Sequence, residues 1–275
     1  MKTFVISLYT IRSAAAGDSS TKGGQLLRIK RYGWVRDVRD FVYQRRFHTK
    51  DVPEKVDLRK FYPPVYEQGK LGGCSANAIA AGLEYSLIKQ KKDVFVPSRL
   101  FIYYNERSLW KTVQYDSGAP VRLGAKAVKK FGVCSEDLWT YNIRKYKEKP
   151  TDGCYKTARR YESMVYERMK QDIIMLKDCI ASGLPFVFGF VAYESFESEK
   201  IAKDGVLQMP KLGEKKIGQH AVLAVGYNDK SKVIIARNSW GEKWGERGYF
   251  YVPYSYLLKE ELANNFWVIG FIGRD

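Results

Sequence analysis

The sequence is poor in the residues that usually make a chemistry hard to locate. Among 275 residues there are two histidines, His48 and His220, and four cysteines, Cys74, Cys134, Cys154 and Cys179. Four cysteines are too few for a small cystine scaffold, and none forms a C-x-x-C pair, so neither a disulfide framework nor a structural zinc site defines the fold. No apolar run reaches eighteen residues before a charge interrupts it, which excludes a membrane-spanning helix. Glycine and proline follow no repeat and no heptad pattern occurs, so collagen and coiled coil are excluded. Zinc-finger spacing, an RNP-like aromatic strand and a helix-turn-helix signature are all missing, and no metal or cofactor is expected.

Acidic residues are also in deficit, 30 against 47 basic ones, for a net charge of +17. Such an excess raises a polyanion as a partner. Its distribution weakens that reading. Residues 1–51 hold 11 basic and 4 acidic side chains and the remainder 36 and 26, so the charge is dense only at the N-terminus. With 45% hydrophobic and 15% aromatic residues the chain can bury a substantial core.

The first 50 residues read as a basic arm. Phe4, Ile6 and Leu8 alternate in a short apolar stretch that faintly suggests a signal peptide, but Arg12 ends it early. The arm is either a solvated tail or a regulatory segment docking through Trp34, Phe41 and Tyr43. From Pro53 the text becomes globular. Ile79, Leu83 and Leu87 among alanines predict a largely buried helix from Cys74 to about Gln90, and further helices are expected at 98–109, 124–131 and 171–182. Later the period changes. Residues 219–227 and 232–238 flank Asn228-Asp229-Lys230-Ser231 as a β-hairpin, with more strands at 186–191, 248–252 and 266–272. An α-rich half followed by a β-rich half predicts an α+β protein with a cleft between two lobes.

Cys74 would open the first helix, where aligned peptide dipoles and unpaired N–H groups favour a thiolate. The glycines before it, Gly72 and Gly73, leave room for a substrate, and Gln68 is placed to turn an amide toward a developing oxyanion. A thiolate needs an imidazole partner. His48 lies in the arm, whereas His220 starts a strand whose inner face continues through Val222 and Ala224. The next strand ends in Asn238, whose amide can fix the imidazole. Ser239-Trp240-Gly241, Trp244-Gly245 and Gly248-Tyr249 follow, an aromatic-glycine loop suited to shielding a polar pair from water.

Three blocks, Gln68-Gly69-Lys70-Leu71-Gly72-Gly73-Cys74, His220-Ala221-Val222 and Asn238-Ser239-Trp240-Gly241-Glu242-Lys243-Trp244-Gly245, resemble the signatures of papain-like cysteine peptidases. His220 follows Cys74 by 146 residues and Asn238 by 164, against about 130–150 in the family pattern. The likeness runs from about Pro53 to Phe271. It is closest to the short-prosegment bacterial and large-virus branch, through Val56-Asp57-Leu58-Arg59, Pro63-Pro64-Val65-Tyr66 and Ser98-Arg99-Leu100-Phe101-Ile102-Tyr103-Tyr104-Asn105-Glu106-Arg107. Gly33-Trp34-Val35-Arg36-Asp37, with Asp40 and Tyr43, resembles that branch's prosegment.

The resemblance implies an α+β papain-like fold: a helical lobe over about 67–165 and an antiparallel β-barrel lobe over about 166–275 plus 51–66. The 51–275 domain would be preceded by an inhibitory arm, 1–50, removed near Arg45-Arg46 or Lys50. It implies a cysteine endopeptidase with Cys74, His220, Asn238 and Gln68 as its catalytic set and a polypeptide as substrate. Ser117 and Gly118 would offer backbone to an extended peptide. Ala119, Pro120 and Gly218 would shape the pocket for the residue two before the cut, and Trp240 would cover the His220–Asn238 pair. The usual disulfide near the nucleophile is absent. Leu71 and Tyr115 stand at its two ends, where an apolar contact between them is expected instead. Cys134 and Cys154 bracket Trp139-Thr140-Tyr141 as in that branch, where they could bridge; the sequence leaves a bridge and two free thiols equally open. The alternatives are a non-catalytic, polyanion-binding protein on the same scaffold, and a papain-like acyl-transferase or deamidase.

Overall fold

A computed structural model describes residues 40–47, 51–161 and 164–271. The arm residues Trp34 and His48 lie outside the described residues. The elements follow the chain as β1 (Lys55–Asp57), α1 (Cys74–Lys89), α2 (Arg99–Trp110), α3 (Val121–Phe131), α4 (Asp152–Ala158), β2 (Met164–Arg168), α5 (Ile173–Ala181), β3 (Phe186–Tyr193), α6 (Glu199–Asp204), β4 (Lys216–Asn228), β5 (Val233–Arg237), β6 (Tyr249–Pro253), α7 (Tyr254–Leu257) and β7 (Ala263–Phe271).

Alanine-rich α1 is buried from Cys74 through Tyr85, because both lobes pack on it. Its small residues make that possible. A Cβ at Gly82 would sit 3.5 Å from Leu223 of β4 and 3.6 Å from the Ile269 carbonyl of β7, so the helix lies close on the sheet. The α2 helix begins where the Ser98 hydroxyl accepts the Phe101 N–H at 3.1 Å, an N-cap, and Asp172 does the same for α5 with the N–H groups of Ile174 and Met175. The α3 helix starts three residues earlier than its apolar pattern suggests. Pro120 supplies a non-helical N-cap with φ −60°, and Gly124 is a site of close packing within the helix, not its start.

The strands form one antiparallel sheet in the order β2-β7-β3-β4-β5-β6, with β1 paired to the far end of β4. The hairpin read from the sequence is β4–β5, with Asn228 opposite Val233. Strands β1 and β2 and helices α4 and α6 carry too few periodic residues to be read in advance. No helix among the described residues is long and apolar enough to cross a membrane.

Residues 40–47 run as a strap over both lobes. Asp40 pairs with Arg122 of α3, and the Tyr43 hydroxyl donates to Asp178 of α5 at 2.7 Å. Of the three described aromatics in the arm, only Tyr43 is buried; Phe41 is exposed and meets Tyr166 edge-on at 6.3 Å between centroids, and Phe47 is also exposed.

One local expectation is corrected, and one pairing that the sequence leaves open is decided. No buried apolar pair of Leu71 and Tyr115 takes the place of the bridge: Leu71 is buried but Tyr115 is 71% exposed. The cause is Arg107, whose Nη1 holds the Val113 and Tyr115 carbonyls at 2.8 and 3.0 Å and leaves the ring outward. Cys134 and Cys154 are unbonded thiols in a small buried cluster with Phe101 and Ala158, and burial raises the Cys134 thiol well above its usual range.

Candidate active site

Cys74 is the first residue of α1 and is almost fully buried, with Gly73 as the N-cap. The turn before it is fixed by Asn77, whose backbone N–H and Nδ2 both donate to the Gly73 carbonyl, at 3.0 and 2.8 Å. Gly82 touches β4 at Leu223. Cys74 and His220 are thus carried by two elements that pack directly on one another.

His220 is buried on β4 opposite Phe190 of β3. Its Nε2 lies 2.8 Å from Asn238 Oδ1, just beyond the end of β5. Because Asn238 Oδ1 can only accept, Nε2 carries the proton in this pair. Three aromatic rings enclose the imidazole: Trp240 at 5.1 Å between centroids, Phe190 at 5.8 Å and Phe196 at 6.0 Å. Trp244 closes the cage by packing edge-on against Trp240 at 5.2 Å. Water is thus kept from the His220–Asn238 bond, which strengthens it and fixes the ring plane.

Gln68 is fully buried beside this pair. Its backbone N–H donates to the Ser239 carbonyl at 2.8 Å, its Oε1 accepts from the Ser239 hydroxyl, and its Nε2 donates to the Leu71 carbonyl at 3.0 Å. An amide nitrogen carries two hydrogens, so Nε2 can donate to a second acceptor. The Gln68 carbonyl accepts from the Tyr141 hydroxyl at 3.1 Å, and Arg99, stacked 3.9 Å from the Tyr141 ring, is held by Glu136.

The predicted substrate-binding residues fall around this core. Gly72 and Gly73 are buried next to Cys74; Gly118, Ala119 and Pro120 are buried at the entrance to α3, with Ser117 half-buried before them. Gly218 is two residues from His220 on β4, hence on the same face of the strand. The sequence reading passed over Phe190, Phe196, Ser239, Asp116 and Tyr103. Ser239 lies inside the quoted asparagine block, Tyr103 inside the quoted 98–107 block and Asp116 beside Ser117, but nothing local marks their roles; Phe190 and Phe196 come from distant elements.

The sequence pattern of the papain family cysteine proteases matches residues 52–263. The chain belongs to the papain family. It is 46% identical over 212 residues to an uncharacterized peptidase C1-like protein, L477, of Acanthamoeba polyphaga mimivirus, a match covering 74% of this chain and 68% of that one. Xylellain, a cysteine protease from Xylella fastidiosa, superposes with a TM-score of 0.84 at 40% identity, over 93% of this chain and all of xylellain. Mouse pro-cathepsin H is 27% identical over 219 residues, and the match spans 61% of its length. This papain-family chain is thus a cysteine peptidase, with the two-lobed α+β fold of its relatives and a polypeptide as its substrate class.

Proposed function

We propose that the chain is an endopeptidase made as a proenzyme, in which Cys74 is the nucleophile, His220 the proton carrier, Asn238 its orienting partner and Gln68 an oxyanion donor. The buried 2.8 Å bond between His220 Nε2 and Asn238 Oδ1 carries this reading. With Nε2 engaged there, proton exchange with the thiol falls to Nδ1. Cys74 Sγ attacks the scissile carbonyl carbon, and the electron pair of the C=O bond moves onto oxygen. That oxyanion is stabilised by Gln68 Nε2–H and the backbone N–H of Cys74. The imidazolium then gives its proton to the departing amine, leaving a thioester. Water, deprotonated by His220, attacks the thioester and releases the acid and the thiol.

Ser117 and Gly118 would pair with the substrate backbone, Pro120 and Gly218 would border the pocket for the residue two before the cut, and Trp240 would cover the catalytic pair. The 51–275 region is proposed as the peptidase domain and the arm before it as its inhibitor. Pro-cathepsin H among the relatives supports a proenzyme. Polyanion binding rests on the net charge alone.

Hydrolysis of a fluorogenic peptide panel at pH 5 to 8 under reducing conditions tests the roles. The wild type is expected to cleave, and Cys74→Ala and His220→Ala to lose at least about 10³-fold in kcat. Asn238→Ala is expected to lose less, because the imidazole remains. Cleavage retained by both Cys74→Ala and His220→Ala would overturn the assignment.

A further inference from the structure

One carboxylate joins the two walls that the proposed peptidase presents to its substrate. Asp116 stands just before the Ser117–Gly118 backbone and accepts the Gly72 N–H, at 2.9 Å on Oδ1 and 3.2 Å on Oδ2. Its Oδ1 also accepts from the Tyr103 hydroxyl. The Tyr103 oxygen accepts the Gly118 N–H at 3.1 Å. Gly118 takes φ +68°, the left-handed backbone that glycine adopts readily and that aims this N–H inward. The result is a continuous chain of donors and acceptors from Gly118 through Tyr103 and Asp116 to Gly72, two residues from Cys74.

The supports of this chain are rigid. Tyr103 is fully buried on α2, and a Cβ at Gly73 would lie 3.6 Å from its ring, so the phenol backs the cysteine turn directly. Burial and the neighbouring Asp116 charge hold its hydroxyl far above the usual range, and it stays a proton donor. Arg107, 4.1 Å from the Tyr103 ring centroid, fixes the other side of the Asp116 loop through the Val113 and Tyr115 carbonyls.

We propose that Asp116 is the positioning residue that sets the spacing between the cysteine turn and the Ser117–Gly118 backbone, a hydrogen-bonded tether one residue along from Leu71 and Tyr115, the two ends of the disulfide that this chain lacks. The proposal rests on the peptidase reading above. Unlike a disulfide, this tether holds equally in oxidising and reducing surroundings. The spacing matters to a substrate that engages both walls at once. It matters little to one that reaches only the cysteine turn.

The test compares Asp116→Ala, Asp116→Asn and Tyr103→Phe in the full chain, processed alongside the wild type. The substrates are a peptide with three residues before the cut and a blocked single-residue ester. A hydrogen-bonded charge of this kind lost from a site corresponds to about tenfold. Asp116→Ala is therefore expected to raise KM for the peptide about tenfold, with kcat and ester hydrolysis within about threefold of wild type. Asp116→Asn keeps the acceptor oxygen and is expected to restore most of the affinity. Alkylation of Cys74 by iodoacetamide is expected to proceed at the wild-type rate in all three. Equal losses on both substrates, a loss confined to kcat, or an unchanged KM would overturn the proposal. Should Asp116→Ala fail to fold, Tyr103→Phe, which removes only the hydroxyl, carries the same comparison. Failure of the wild type to cleave either substrate would count against the peptidase reading itself, an outcome distinct from those above.

Discussion

Glu106 is an acid in a place where an acid is costly. It sits on α2, wholly buried, and accepts the Ser75 hydroxyl at 2.7 Å on Oε1, while Oε2 has no hydrogen-bond partner among the described residues. A Cβ at Gly124 would lie 2.6 Å from Oε2, so the site is tightly packed and dry. Burial pushes the carboxyl up from 4.5 to about 8. The folded protein therefore keeps a proton that the unfolded chain releases. Stability from this group is fully present below pH 4.5 and declines as pH rises toward about 8. At roughly 1.4 kcal/mol per pKa unit, the decline amounts to several kcal/mol. Glu106→Gln keeps the shape and removes the titration. Thermal unfolding at pH 5 and pH 8.5 is expected to show a larger fall in Tm for the wild type than for Glu106→Gln. Parallel falls in both would show that Glu106 does not titrate in that window. The residue is visible in the sequence only as part of a helical block. Its burial beneath Ser75 is set by where α1 crosses α2.

At the scale of elements, helix ends decide how closely the first lobe packs. Gly132 terminates α3 with φ 70° and ψ −156°, a conformation open essentially to glycine alone, and a Cβ there would lie 1.9 Å from the Ala158 carbonyl oxygen at the end of α4. Gly213 also has a left-handed φ of 79°, but a Cβ there would meet nothing within 4 Å. The two positions separate strain from collision. Gly213→Ala is expected to cost about 1 kcal/mol, from backbone strain only. Gly132→Ala is expected to cost at least ~3 kcal/mol, because backbone meets backbone and neither helix can yield without moving the other. Urea unfolding of the two variants measures the difference; equal midpoints would refute the collision. The same contrast explains what could be read beforehand. The α1, α2 and α5 helices and the β4–β5 hairpin announce themselves through local period and capping residues. The short elements do not: β1 and β2 exist because β4 and β7 offer them an edge, and α4 because Thr151 caps a single pair of turns. At the candidate site, Cys74 stands out in the sequence because it opens α1 and Asn238 because it follows the end of β5, whereas His220, well inside β4, stands out because the sequence holds only one other histidine. Of the aromatic cage, Trp240 and Trp244 are legible in the loop after Asn238, whereas Phe190, Phe196 and the Asp116 tether are not, since those residues meet the site only in the folded chain.

At the scale of the whole molecule, the strap at 40–47 governs how the protein can be shortened. Arg122 in the helical lobe is buried and held by Asp40 through three contacts of 2.7 to 3.0 Å. Asp178 in the β-rich lobe is buried and accepts the Tyr43 hydroxyl, the Arg46 N–H and the Phe47 N–H at 2.7 to 3.2 Å. Between them the strap exchanges backbone hydrogen bonds with Arg168 of β2, at 3.0 and 2.7 Å. Removing residues 1–50 would leave Arg122 and Asp178 as buried charges without these partners, and losing one side of such a pair costs about 3–5 kcal/mol. Removing residues 1–38 keeps each of these contacts. If the inhibitory part of the arm precedes the strap, both shortened chains are expected to exceed the full chain in peptidase activity. The 39–275 chain is then expected to melt on the order of 10 °C above the 51–275 chain. A cut between Arg45 and Arg46 would need the strap to lift from Asp178 first, so activation there should be slow in the folded proenzyme and faster in Asp178→Asn. Equal melting of the two shortened chains would show that the strap contributes nothing to the domain; a gain in activity only on reaching residue 51 would make the strap itself the inhibitor, acting through its contacts with Arg122 and Asp178.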